Sequence, residues 1–286
     1  MLWIALLTLQ APPATDIYVA ELRVDHRRVS VGSPVNVTAR PGYDNQPFFL
    51  SNGRAFLYTS VHEDGQADIY RYDFDRKTSL RVTVTPESEY SPTPLPDRDG
   101  FSVVRVEADS TQRLWAFNGD GSHPRLVLDS IKPVGYHAWA NDNMLLLFVL
   151  GSPATLQMAD AHSPVARGEV LARDIGRSLQ RIPGREAVSF VQRDSVAGAS
   201  LQEFDVHTQH VTKLVQAPPA ADFFVWTTEG IVLTASGTKL YQWDSQRGGD
   251  WEPVADFAAA GLTNVTRLAV SPKGDRLAIV AVPAQP

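Results

Sequence analysis

Few residues in this 286-residue chain stand at spacings that could do chemistry. His207-Thr208-Gln209-His210 offers two imidazoles. On a strand, however, residues three apart face opposite sides, and no third ligand lies near them in sequence, so the four residues read as a solvated turn. His62-Glu63-Asp64 and Asp97-Arg98-Asp99 are acidic but lack the dense alternating oxygen ligands of a calcium loop. They read as turns too. Asn36-Val37-Thr38 and Asn264-Val265-Thr266 match a glycosylation sequon, a motif that recurs by chance. No Gly-x-Ser-x-Gly elbow is present. No carboxylate pair, Ser–His–Asp set or Cys–His pair can be assembled from local sequence. No metal and no cofactor is expected. An enzyme that draws its groups from distant segments would leave no local trace, so that possibility stays open.

Composition narrows the class. The apolar share of 43% suffices for a packed core. A net charge of −6 and a pI near 5.6 argue against nucleic acid or an anionic membrane surface as partner, since either calls for a basic face. The absence of cysteine removes disulfides and thiolate metal sites without deciding the compartment. Met1–Leu9 is continuously apolar and is followed by Gln10-Ala11-Pro12-Pro13-Ala14, like a secretory signal cut after Ala14. A basic segment ahead of it is missing, and the alternative is a first buried strand. The run is too short to span a bilayer. The expectation is a signal peptide over 1–14, then one domain over 15–286, in a periplasmic or secreted protein without stable membrane insertion.

The elements that would position any site are short strands. Tyr43–Pro86 holds four apolar runs separated by Ser51-Asn52-Gly53, Glu63-Asp64-Gly65 and Asp73–Lys77. Such runs ended by Asn-Gly or Asp-Gly are strands closed by tight hairpins. The unit recurs. Its third strand ends in an acidic or amide residue at Asp73, Asn118, Asp160, Asp205 and Asp244, roughly every 40–45 residues. That side chain can bond the backbone two residues on and start the next hairpin. First strands are expected at Asn45–Leu50, Ser91–Leu95, His137–Ala140, Ser178–Ile182, Phe223–Thr227 and Thr266–Val270. The unit Arg177–Val215 lacks the aromatic and proline signature of its first strand. The one helical candidate is Pro253–Ala260, of one or two turns. Thr266–Val270 and Arg276–Ala281 lack partners at the end of the chain, and Ile17–Val24 and Val35–Thr38 lack them at its start. Together they complete one sheet. The fold class is thus all-β, a six-bladed β-propeller of four-stranded antiparallel blades closed by a composite blade from both termini.

The motifs Ser51-Asn52-Gly53, Asp68-Ile69-Tyr70 and Ser271-Pro272-Lys273-Gly274 resemble the repeat of TolB-like propellers, also called PD40 or WD40-like repeats. The resemblance covers about residues 16–283 and implies a fold more than a function. TolB itself looks like a two-domain protein with an α/β domain ahead of the propeller, which these 286 residues do not accommodate. A role in the Tol–Pal envelope system is therefore not expected, nor is the hydrolase domain of propeller peptidases.

Entry into the first strands carries Tyr43, Asp44, Tyr90, Tyr136, His137 and Trp226. In a propeller these positions gather at one channel mouth, where aromatics suit a protein or peptide partner. Alternatively they pack between blades, as the repeat itself requires. The functional expectation is an exported, non-enzymatic, monomeric scaffold that binds a protein or peptide through its loop face. The alternative is a channel-centred small-molecule hydrolase or lyase of the propeller lactonase type.

Overall fold

Runs of Val, Leu, Ile and Phe in strand-length segments, such as Met144–Val149, are buried on both faces, which demands a layer on each side. The computed structural model, which describes residues 13–163 and 168–283, supplies those layers by standing six sheets around a ring. The proposed signal segment falls almost wholly on residues 1–12 and so lies outside the described residues.

Each sheet runs outward from the centre. The first blade contains Tyr43–Phe49, Ala55–Val61, Ala67–Asp73 and Thr78–Arg81. The second contains Ser88–Pro94, Phe101–Val106, Gln112–Phe117 and Arg125–Leu128. The third contains Val134–Trp139, Met144–Val149, Thr155–Asp160 and Glu169–Arg173. The fourth has all four strands despite its weak signature: Ile175–Arg181, Ala187–Asp194, Gly198–Asp205 and Val211–Gln216. The fifth contains Phe224–Trp226, Ile231–Ser236, Lys239–Asp244 and Glu252–Asp256. Second strands are almost fully buried, while outermost strands such as Thr78–Arg81 face solvent.

The sixth blade is the composite one. Leu262–Val270 pairs with Arg276–Pro283, which pairs with Asp16–Asp25 from the start of the chain. Its outer edge is split, because Arg28–Val31 and Val35–Asn36 both pair with Asp16–Asp25. Two further contacts tie the seam. Thr15 forms a parallel bridge to Tyr43 of the first blade. On the other side, Arg27 forms a bidentate pair with Asp244 at the end of the fifth blade's third strand. That guanidinium, with the Gln246 and Arg247 amides, holds the Asp244 carboxyl down to about 2.

Six apolar clusters fill the described structure, one at each junction between neighbouring blades. Fully buried rings, Phe56, Phe101, Phe190, Phe204 and Phe224, sit in these clusters. The ring thus coheres by blade-on-blade burial, and removal of such a ring costs about 3–5 kcal/mol.

The carboxylates that end third strands do what their spacing implies. Asp73 Oδ1 accepts from the Asp75 and Arg76 amides, and Asp205 Oδ1 from those of His207 and Thr208. His207 and His210 accordingly sit in an exposed hairpin. Asn118 departs from the pattern, since Asp120 Oδ1 takes the Ser122 amide there. In Ser271-Pro272-Lys273-Gly274, Ser271 Oγ accepts from the Asp275 and Arg276 amides, and Gly274 takes a φ of 69° that favours glycine.

The helical candidate Pro253–Ala260 is corrected. Its first half belongs to the strand Glu252–Asp256, which pairs with Lys239–Gln242, and only Phe257–Ala260 turns, as a 3-10 segment capped by Asp256. Pairing outcompetes a short isolated helix, whose nucleation is unfavourable.

Candidate functional site

The innermost strands of all six blades line one central cavity of about 70 Å³. At about 10–15 Å³ per water, it holds a handful of water molecules or one small chemical group. Five of the six innermost strands are irregular where they pass it. Register shifts fall between Asn45 and Phe48, Tyr90 and Thr93, Val134 and Tyr136, Ile175 and Leu179, and Thr263 and Arg267. A bulge re-aims the side chains beside it, here around the cavity.

Besides Asn264 at φ 46°, two residues of these bulges that line the cavity lie in the left-handed backbone region, Gln46 at φ 60° and Ser91 at φ 54°. Each precedes a proline, which cannot donate to the ladder and so marks where pairing breaks. The surroundings fix both. Gln46 Oε1 accepts from the Ser91 amide and from Thr59 Oγ1, each at 2.7 Å, locking the first blade's bulge to the second's. Strain of this kind, on the order of 1–3 kcal/mol per residue, persists where structure over-determines it and clusters at binding sites.

Arg267, from the sixth blade, reaches across to the third. Its Nη2 donates to the Tyr136 hydroxyl at 3.0 Å, and its guanidinium lies 4.9 Å from the Tyr136 ring centroid and 3.9 Å from that of Phe223. Arg177, from the fourth blade, also lines the cavity and is exposed. Among the described residues, neither arginine forms a salt bridge with a carboxylate, and the cavity lining contains no Asp or Glu. Phe48 projects into the same space and is 40% exposed.

The residues expected at the mouth divide. Tyr43, Tyr90 and Tyr136 are half-buried. Burial pushes the Tyr43 hydroxyl up to about 12, and it also feels the charges of Arg267 and Arg177 and the neighbouring Tyr136 and Tyr90 hydroxyls. Tyr136 lines the cavity with Arg177 and Arg267, while Tyr90 packs against the apolar junction of the second and third blades and Tyr136 also against that of the third and fourth. Asp44 is fully buried and serves the fold: its Oδ1 accepts from Arg40 Nη2 and from Ser60 Oγ, both at 2.6 Å. Burial raises the Asp44 carboxyl, against the pull of Ser60 and Arg40.

Trp226 is buried, and its Nε1–H donates to Ser189 Oγ on the fourth blade at 2.8 Å. Trp139 makes the same bond two junctions earlier, to Ser102 Oγ at 2.9 Å. The indoles are staples between blades, placed by their N–H against a serine on the preceding second strand.

His137 lines the cavity yet is only 6% exposed. Its Nε2 lies 2.7 Å from Ser102 Oγ, while its Nδ1 has no partner. Desolvation drives the imidazole down to about 3, so the ring is neutral. Ser91, also on the lining, has a buried Oγ without a partner. Buried polar atoms are nearly always paired, and such exceptions call for an explanation.

Arg177 and Arg267 escaped sequence reasoning, which passed over charged residues in the first strands. A signal did exist. Aligning the six first strands puts Arg267 inside Thr266–Val270 and Arg177 just before Ser178–Ile182, at inner positions where a charge has no structural use.

No family model matches the chain. Among solved structures, a TolB candidate from Agrobacterium tumefaciens aligns with TM-score 0.71 at 15% identity, covering 95% of this chain and 100% of that one. TolB from Acinetobacter baumannii aligns at 0.59 and 13% identity, covering 94% of this chain and 65% of that one. An oligogalacturonate lyase in complex with manganese aligns at 0.56 and 12% identity, covering 96% and 99%. At these identities the likeness is one of fold. It fits the TolB-like propeller resemblance and includes both a TolB and an enzyme.

Proposed function

We propose that the protein is a binding propeller that takes a peptide segment of a partner protein at the channel mouth. One observation carries this reading. Tyr136, Phe223 and the exposed Phe48 line a small cavity whose two arginines, among the described residues, lack carboxylate partners. Aromatic side chains and arginine are the groups that contribute most to protein recognition, because they present large rigid surfaces with polar tips. The apolar run Met1–Leu9 supports export.

The alternative, a channel hydrolase or lyase, has less to work with. The lining offers a single imidazole, held neutral by burial, and no carboxylate to pair with it. Nor does the donor set suit a divalent metal such as the manganese of the lyase. Among the described residues no group of three or more His, Cys, Asp or Glu converges.

The test is selection from a displayed random-peptide library against the full chain, followed by binding of the selected peptides to Tyr136→Ala and Phe48→Ser. Peptides that lose affinity on both variants support the reading. Peptides that bind the variants unchanged, or a library that yields no binder, overturn it.

A further inference from the structure

Arg267 is held in an unusual way. Its guanidinium lies against the Phe223 and Tyr136 rings, and one of its five N–H groups is used, on the Tyr136 hydroxyl. A guanidinium with aromatic rings on its faces keeps its edges for hydrogen bonding, and those edges match the two oxygens of a carboxylate. Arg177 brings a second, exposed positive charge to the same cavity. Elsewhere this chain pairs its arginines readily: Arg27 with Asp244, Arg40 with Asp44, Arg105 with Glu89 and Arg113 with Glu107. In a protein of net charge −6, two channel arginines facing no acid leave an unmatched positive field at one point.

The cavity floor points the same way. Ser91 Oγ and His137 Nδ1 are buried on the lining without partners. Ser102 Oγ sits 3.2 Å from the Thr93 carbonyl and accepts from Trp139 Nε1. If the serine proton goes to Thr93, His137 Nε2 carries its own proton and Nδ1 is a free acceptor. With the opposite arrangement, Nδ1–H is a free donor. Either way a polar atom is left for an incoming group.

We infer that the channel mouth recognises a carboxylate borne by a peptide, an Asp or Glu side chain or the chain terminus, gripped between Arg267 and Arg177. The inference rests on the peptide-binding reading above and names the group that such a peptide inserts. The cavity of about 70 Å³ has room for a carboxylate and its adjoining carbon atoms. The exposed Phe48, with Tyr136 and Phe223 on the same lining, offers the surface on which flanking peptide residues would lie. When the carboxylate enters, it replaces the Tyr136 hydroxyl as the acceptor of Arg267 Nη2–H, and a neutral hydrogen bond becomes a charge-assisted one.

The experiment follows the arginine side-chain Nε–H signals of the isotope-labelled full chain by nuclear magnetic resonance. Four probes are titrated separately: acetyl-aspartate N-methylamide, acetyl-asparagine N-methylamide, N-acetylglycine and inorganic phosphate. The expected result is saturable shifts of Arg267 Nε–H with the aspartate compound, N-acetylglycine or both. Which of the two binds tells a side-chain carboxylate from a terminal one. The asparagine compound should bind at least about tenfold more weakly, the discrimination typical of one charge-assisted hydrogen bond. Arg267→Gln should weaken the carboxylate probe by a similar factor. Arg177→Gln, at an exposed position that leaves the fold undisturbed, should weaken it severalfold and keep the test decisive if the first variant folds poorly. Saturable binding of the asparagine compound as tight as that of the carboxylate probe that binds, binding of phosphate alone, or indifference to both arginine substitutions overturns the inference. Library peptides that occupy the mouth without any acidic group also overturn it, while leaving the peptide-binding reading intact. Carboxylate binding with no peptide binder does the reverse.

Discussion

Arg267 Nη2 and the Tyr136 hydroxyl, 3.0 Å apart, join the sixth blade to the third across the channel mouth. The two residues are far apart in sequence and come together only because the ring closes through its composite blade. The bond is a polar contact between half-buried groups, although the Tyr136 ring itself packs against the apolar junction of the third and fourth blades. Tyr136→Phe should therefore change the unfolding free energy by no more than about 1 kcal/mol. Tyr136→Ala should cost more, because it also removes the edge contact with Phe148 at 5.7 Å and the surface beneath the guanidinium. Urea denaturation of both variants checks this, and equal losses would refute it.

Trp226 should matter for stability and not for binding. Trp226→Phe removes the N–H that Ser189 Oγ accepts and leaves a small void, for an expected loss of about 1–3 kcal/mol. Peptides selected on the wild type should bind the variant with unchanged affinity. A large loss of affinity at preserved fold would return Trp226 to the site.

The seam of the ring should be acid-sensitive. Asp244 is held down to about 2, chiefly by Arg27, from an ordinary value of 3.8. A carboxyl lowered on folding stabilises above its unfolded value, and that contribution fades as pH falls from about 4 through about 2. Asp244→Asn should thus cost roughly 1–2 kcal/mol at pH 7 and progressively less towards pH 2. Urea midpoints of both proteins at pH 7, 4 and 2.5 give the comparison. A constant gap across that range would mean that the Arg27 pair does not carry the effect.

His137 has the opposite titration. Its imidazole is pushed from 6.5 down to about 3 by burial, so the unfolded chain takes up a proton that the folded one refuses. Stability then falls as pH drops below about 6.5, by up to about 1.4 kcal/mol per pH unit from this group, until the folded value is reached. His137→Gln should flatten that slope between pH 6 and 4. An unchanged slope would show that the ring is protonated in the folded protein.

Local patterning made much of the architecture legible, and ring closure hid most of the site. The Asp73 and Asp205 turns, the Ser271-Pro272-Lys273-Gly274 hairpin and the unpaired strands at both ends of the chain depend on neighbours in sequence or on simple strand counting. Arg267 acquires its meaning from Tyr136 and Phe223, which belong to other blades. The tyrosines were visible as recurrent aromatics at strand entries, but Asp44 and Trp226 share that position and turn inward to Arg40 and Ser189. Side-chain direction after a bulge is not written in a period-two pattern. The prolines at 47 and 92 marked the bulges, and their consequence appeared only with the channel around them.

The central claim is that the channel mouth, and not the exposed outer edge of a blade, holds the partner. The most direct measurement is a crystal structure of the full chain with a library-selected peptide. The account predicts peptide density among the six innermost strands, with a peptide oxygen within hydrogen-bond reach of Arg267. A peptide laid as an added strand along an outer edge such as Thr78–Arg81, with the channel mouth unchanged, would contradict it.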